Sequence, residues 1–149
     1  MTAAEFDEYL SWVVADYASE MVRNGRATPD ESTARAQASF DSLLPRGLET
    51  PGQVLLIAED PDTGERVGHL WLGPASDAAD QAWVYDVTVE EDLRGRGYGR
   101  AIMQAFEREA ATRGYARAGL NVFGDNEVAR GLYESLGYRE VARQMAKDL

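Results

Sequence analysis

The seven residues Arg94-Gly95-Arg96-Gly97-Tyr98-Gly99-Arg100 have the types and spacing most suited to chemistry in this chain. Three glycines at alternate positions leave backbone N–H groups unobstructed, and three arginines interleave with them. The run lies between an apolar strand pattern over 82–89 and an amphipathic helix pattern over 101–113. A helix start adds unpaired N–H donors and a partial positive charge. Such a cradle suits a diphosphate, which points to a nucleotide-like cofactor. An ordinary strand-to-helix turn needs one glycine and has no use for three flanking arginines.

Two familiar phosphate loops do not fit. A Walker loop ends in Gly-Lys-Ser/Thr, whereas Gly99 is followed by Arg100-Ala101. The dinucleotide fingerprint starting at Gly95 and Gly97 would need a glycine at position 100. What remains is R-x-x-G-x-G, read as Arg94, Gly97 and Gly99 after Val87-Thr88-Val89. This resembles the acyl-CoA loop of the GNAT superfamily of N-acyltransferases. A second segment is similar to that family's V-x-x-x-N-x-x-A-x-x-L-Y-E-x-x-G-[FY] pattern. It matches at every named position: Val122, Asn126, Ala129, Leu132, Tyr133, Glu134, Gly137 and Tyr138. The two motifs together cover residues 82–140, about two-fifths of the chain. On them the chain is identified as a member of the superfamily, one domain over 1–149; the loop Pro45-Arg46-Gly47-Leu48-Glu49-Thr50-Pro51, with the Trp71 strand, also resembles a bacterial subgroup of small members.

The resemblance implies an N-acetyltransferase that moves the acetyl group of acetyl-CoA to a primary amine, by direct attack in a ternary complex. That reaction needs a neutral amine, a polarised carbonyl and a proton for the leaving thiolate. Helical spacing puts Asn126, Ala129 and Tyr133 on one face. The resemblance makes Tyr133 the general acid. A phenol of pKa near about 10 is protonated at neutral pH, and a thiolate of pKa about 8.5 benefits from a donor. Asn126 and Ala129 match positions that contact the pantetheine arm, although an asparagine at a helix start also reads as a cap. Val87, Thr88 and Val89 are implied to pair their backbone with the pantetheine amides, as an added strand would. That requires the strands over 82–89 and 116–122 to splay apart. Arg94, Gly95, Arg96, Gly97, Tyr98, Gly99 and Arg100 are implied to hold the CoA diphosphate.

The base is less determined. An alkyl ammonium of pKa about 10.4 must lose a proton before it can attack. Asp86 is the one carboxylate within 82–89, where many family members keep an acidic residue that acts through water. At the neighbouring position, acidic in some members, this chain has Tyr85. Asp86 therefore reads as the base, as a site for a substrate ammonium or as a loop cap, with Glu90, Glu91 and solvent as alternative bases. His69 is the one histidine; it could titrate near neutrality, but a lone histidine on a strand reads first as structural.

These residues need elements to position them. Thr2 and Glu5 form a capping box that opens a helix running to about Arg23 and stopping at Asn24-Gly25. Phe6, Tyr9, Leu10, Val13, Val14 and Tyr17 share one face of it. Thr28-Pro29-Asp30-Glu31 opens a second helix that carries Ala34, Ala38, Leu43 and Leu44, followed by a loop stiffened by Pro45 and Pro51. Strands are expected over 54–59 and 66–72, joined by a turn over 60–65. After a polar loop come the strand over 82–89, the helix beyond the glycines, a strand over 116–122, a helix over 125–136 and a last strand over 138–146. The order predicts the α/β GNAT fold, a mixed sheet with helices on both faces. The family's usual first strand is short or absent here. The last strand is a candidate edge for a homodimer, although its charges Arg139, Glu140 and Arg143 also read as protection against pairing.

Composition sets the bounds. At 149 residues the chain fits one core, and without cysteine it can form neither disulfides nor a thiol acyl-enzyme. The N-terminus carries Glu5, Asp7 and Glu8 where a signal peptide would be basic, and no run is apolar enough to span a membrane; a soluble cytoplasmic protein is expected. One histidine and no cysteine give no support for a metal. The net charge of −11 is unevenly divided: residues 1–93 hold 5 basic and 19 acidic side chains, residues 94–149 hold 10 and 7. No basic patch is large enough for nucleic acid. The acidic part favours a cationic acceptor, a small molecule or a peptide or protein amine, unless acidity serves solubility alone. Its pocket is expected between the loop over 43–50, Trp71 and Tyr85, with Trp12 or Tyr9 as a wall or, at helical spacing, as core. Two alternatives stay open: a non-catalytic acyl-CoA sensor, and an enzyme using a longer acyl-CoA.

Overall fold

The computed structural model describes residues 1–145 and Lys147. They fall into two compact units, Met1–Thr50 with the residues from Glu140 onward, and Pro51–Arg139.

The first unit is built on two helices. Helix α1 (Ala3–Arg23) opens on the expected capping box, with the Thr2 hydroxyl accepting from the Glu5 N–H and the Glu5 carboxylate accepting from the Thr2 N–H. Gly25, at φ +64°, follows its end. Helix α2 (Pro29–Leu43) starts on proline. Its buried stripe is Ser32, Ala36 and Phe40, spaced four apart on one face, and not the alanines at 34 and 38. Tyr9 is fully buried, its ring edge-on to Trp12 and tilted against Phe40, so Tyr9 is core.

The second unit carries a four-stranded sheet in the order β1 (Val54–Glu59), β2 (Arg66–Pro74), β3 (Gln81–Val89), β4 (Arg117–Leu120). Pairing is antiparallel across the first three and parallel between β3 and β4. This is the mixed α/β sheet flanked by helices that the element order predicts. Helix α3 (Tyr98–Thr112) lies against β2, β3 and β4, and helix α4 (Glu127–Ser135) follows β4. Leu70, Leu72, Ala82 and Val84 from the sheet and Ile102, Met103, Phe106 and Ala110 from α3 form the core between them. Side chains three and four apart on α3 supply one apolar stripe, as an amphipathic helix on a sheet must.

Among the described residues no strand precedes α1, in line with a first strand expected to be short or absent. Two expectations are corrected. Helix α3 begins at Tyr98, three residues before the pattern suggested, since Gly97 rather than Arg100 ends the loop. Residues 138–145 form no strand; Ala146, the end of that expected strand, lies outside the described residues.

The sheet has one irregularity that matters for chemistry. The β2–β3 register runs from Trp71 opposite Asp86 to Leu72 opposite Val84, so β3 carries an extra residue at Tyr85. A bulge of this kind reverses the alternation of side chains beyond it. Ala82 and Val84 pack on the α3 core before the bulge, and Val87 and Val89 do so after it. Tyr85 and Asp86 are consecutive, yet both engage side chains of β2 that are not in that core.

Candidate active site

The glycine loop has an open backbone. Gly95 (φ +77°) and Gly97 (φ +92°) occupy left-handed conformations, and a Cβ on either would meet nothing within 4 Å. Their backbone is open, and glycine is there for conformation. Gly97 is the N-cap of α3, where no side chain caps the helix, and the turn closes with the Ala101 N–H on the Gly97 carbonyl at 3.1 Å. The N–H groups of Tyr98, Gly99 and Arg100 precede that first helical bond and lead outward from the helix. Gly99 serves another purpose. A Cβ there would lie 3.2 Å from Leu132 Cδ2 and 3.7 Å from Val89 Cγ2, so its bare Cα lets α3 approach α4 and β3.

The side chains of the loop are held by its neighbours. Arg94 donates from Nε to the Val89 carbonyl at 3.2 Å, and Arg96 donates to the Asp92 carbonyl at 3.1 Å. Arg100 donates to the Ser135 hydroxyl of α4 at 2.7 Å. Tyr98 donates its hydroxyl to Asp60 in the β1–β2 turn. That bond, with the N–H groups of Asp62 and Thr63, holds the Asp60 carboxyl below its ordinary range and raises the Tyr98 phenol. Tyr98 thus contributes its backbone to the cradle and its side chain to a strut. Sequence reasoning missed Asp60 and Ser135, which are distant in sequence from the residues they hold.

The cradle continues into an open strand edge. β3 and β4 pair only from Gln81 opposite Arg117 to Val84 opposite Leu120. β4 ends at Leu120, so Val87, Thr88 and Val89 have no partner strand on that side among the described residues. An extended amide-bearing chain could add to this edge and end at the start of α3. Together with the open glycines and uncapped amides, these residues fit the pantetheine arm and diphosphate of CoA. Asn126 caps α4, its Oδ1 accepting from the Ala129 N–H at 3.1 Å, so both residues sit at the start of that helix.

Tyr133 lies on α4, half-buried against the α3 core, its ring edge-on to Tyr138 at 6.0 Å. Burial, and after it the Asp86 charge, raise its phenol above the ordinary value. The hydroxyl therefore holds its proton throughout the neutral range. Burial also raises Tyr138, with the Glu107 charge adding to it.

Asp86 is 24% exposed, and its Oδ2 lies 2.8 Å from Nε2 of His69, which is 1% exposed. Alternation alone would have sent Asp86 toward Val84 and the α3 core; the bulge puts it beside His69 instead. The only sequence signal for the pair was the presence of one histidine and one carboxylate on adjacent strands. Tyr85, also redirected by the bulge, stacks on Trp71 with centroids 4.9 Å apart and donates its hydroxyl to the Pro74 carbonyl at 2.8 Å. Trp71 Nε1 donates to Gln53 Oε1 at 2.8 Å. Burial raises the Tyr85 phenol. Glu90, an alternative base, is paired with Arg66 at 3.1 Å, and Glu91 starts a short 3-10 turn on the surface. No group of three or more His, Cys, Asp or Glu among the described residues could hold a metal, and no helix there is long and apolar enough to cross a membrane.

Comparison with known proteins agrees with this geometry. The profile of the acetyltransferase (GNAT) family matches residues 13–138. The N-acetyltransferase YycN of Bacillus subtilis, itself uncharacterized, is 36% identical over all of this chain and 96% of its own length. Its crystal structure superposes with a TM-score of 0.92 at 34% identity, covering all of this chain and 95% of that one. A structure from Pyrococcus furiosus assigned as an acetyl transferase covers 95% of each chain at 27% identity with a TM-score of 0.68. A mycothiol acetyltransferase of Kytococcus sedentarius is 33% identical over 86% of this chain but only 38% of its own. With the family profile spanning most of its length, this chain belongs to the GNAT acetyltransferase family and is an acyltransferase.

Proposed function

We propose that this protein transfers the acetyl group of acetyl-CoA to a primary amine by direct attack in a ternary complex. One observation carries the reading. β3 has no partner strand on the β4 side after Val84 among the described residues, the helix that follows it starts uncapped at Gly97, and the charge of Asp86 acts on the Tyr133 phenol. In this reading Val87, Thr88 and Val89 pair with the pantetheine amides, Asn126 and Ala129 flank that arm, and residues 94–100 receive the diphosphate.

Acetyl-CoA supplies the thioester carbonyl that the amine attacks and the sulfur that departs. Asp86 takes a proton from the ammonium. Tyr133 keeps a proton at its hydroxyl for the departing sulfur. The two act on each other, because a carboxylate near the phenol disfavours phenolate. When Asp86 is protonated that effect ceases, and the phenol becomes easier to deprotonate. Asp86 then releases its proton to solvent and the Tyr133 phenolate takes one up from it, so both groups regain their starting states and one proton is released net per acetylation.

The acceptor is a cationic small molecule or a peptide or protein amine. Asp86 offers it a carboxylate, and the stacked Trp71–Tyr85 pair lies next to Asp86 along β3. The test is release of free CoA from acetyl-CoA against polyamines, aminoglycosides, amino acids and lysine or N-terminal peptides. Saturable release with one class is expected. Measurable CoA binding with turnover of none would favour a sensor instead, and faster turnover with a longer acyl-CoA would revise the donor.

A further inference from the structure

We propose that His69 is a positioning residue of this site, acting on the amine only through Asp86; the inference rests on the reading of Asp86 as the base. Three observations join here. The bulge at Tyr85 places Asp86 on His69 rather than in the α3 core. The 2.8 Å contact runs from a histidine that is 1% exposed to a carboxylate that is 24% exposed, so the imidazole lies behind the carboxylate and the carboxylate faces outward. The Asp86 charge in turn acts on the Tyr133 hydroxyl.

The direction of the hydrogen bond follows from chemistry. An ionised carboxylate only accepts, so Nε2 carries the hydrogen and donates it to Oδ2. In the proposed reaction the carboxylate held in this way takes the proton of the amine. In that step an ammonium N–H bond breaks, its electron pair stays on nitrogen as the attacking lone pair, and the proton bonds to the carboxylate. A carboxylate free to turn about its χ angles would spend less time in a geometry that allows this.

His69 is buried on a strand paired on both sides. Its strand partners are Ile57 on β1 and Thr88 on β3. At the preceding residue, Gly68, a Cβ would lie 2.1 Å from the Thr88 carbonyl oxygen, so β2 and β3 approach too closely there for any side chain. That approach fixes the backbone that carries the imidazole. A buried histidine serving only the fold would be content with any acceptor. This one is bonded to the carboxylate that the mechanism uses.

The experiment compares two amine probes with acetyl-CoA as donor: ethylamine, protonated at neutral pH, and trifluoroethylamine, largely neutral there. A base is needed chiefly for the first. His69→Leu is expected to slow kcat with ethylamine by about tenfold or more, with KM for acetyl-CoA unchanged, and to leave the trifluoroethylamine rate within about threefold. His69→Gln, which keeps an N–H donor near the Nε2 position, is expected to restore most of the ethylamine rate. In an Asp86→Asn background, His69→Leu should add no further loss. Equal slowing of both amines by His69→Leu and His69→Gln, or additive losses in the double variant, would overturn the proposal and leave His69 a structural residue. Wild-type kcat in His69→Leu with a slowed Asp86→Asn would also overturn it while the base reading stands. An Asp86→Asn enzyme as fast as wild type with ethylamine overturns the base reading itself, as does a wild type that turns over neither probe. If His69→Leu does not fold, His69→Gln alone decides through the same comparison of amines.

Discussion

Replacing Tyr133 by phenylalanine removes one oxygen and leaves the ring. The ring keeps its edge contact with Tyr138 and its place against the α3 core, so fold stability should change by less than about 1 kcal/mol. CoA affinity should stay within about threefold, because the cradle and the β3 edge owe nothing to the hydroxyl. The rate is another matter. A positioned general acid is worth about 10²–10⁴-fold. Here burial and the Asp86 charge both hold the proton on the phenol, which guarantees the acid form but makes it a weaker donor. That argues for the lower end, a loss of about a hundredfold in kcat, or about 2.7 kcal/mol in the barrier. Since the phenol lies above its ordinary value, Tyr133 should not limit the rate until the pH passes about 10. The assay is stopped-flow or continuous detection of the released thiol at saturating acetyl-CoA, with CoA binding measured separately by calorimetry. Unchanged kcat would remove Tyr133 from the mechanism. A fall in kcat matched by an equal fall in CoA affinity would make it a binding residue and refute the acid role.

Other positions give independent checks. Gly97→Ala puts a side chain at φ +92° and should cost about 1–2 kcal/mol of stability while weakening CoA several-fold; thermal unfolding and calorimetry measure both. Gly68→Ala forces a Cβ against the Thr88 carbonyl and should cost about 3 kcal/mol, read as a lowered urea midpoint; an unchanged midpoint would mean that β2 and β3 separate at no cost. Alkaline stability should follow the buried phenols. Tyr85, Tyr133 and Tyr138 have folded values raised above the unfolded one, so their contribution is complete below about pH 10 and is lost as the pH climbs through the folded values. Denaturation midpoints across that window should fall for the wild type and fall less for Tyr138→Phe.

Much of the site was legible because its parts are local. The cradle is seven consecutive residues whose glycines declare their own backbone needs, and the Asn126–Tyr133 segment is one helix whose period places its face. The capping box at Thr2 and the proline start of α2 are local in the same sense. The stripe on α2 was misread because Ser32, Ala36 and Phe40 differ greatly in size. What selects them is the closeness of the neighbouring helix, which hydrophobicity alone does not report.

What the sequence by itself determined is the set of groups available: an arginine–glycine loop, a phenol on a helix, one histidine, and one carboxylate on the central strand. Only the tertiary structure decided which of these meet. The stretch of β3 that β4 covers depends on two strands far apart in the chain, and the strut from Tyr98 to Asp60 joins a helix start to a distant turn. The pairing of His69 with Asp86 depends on a bulge at Tyr85, where no glycine or proline marks the change in phase. A one-residue shift in strand register costs little locally yet moves every later side chain to the other face. Cross-strand packing sets that register, and with it whether Asp86 faces the hydrophobic core or His69.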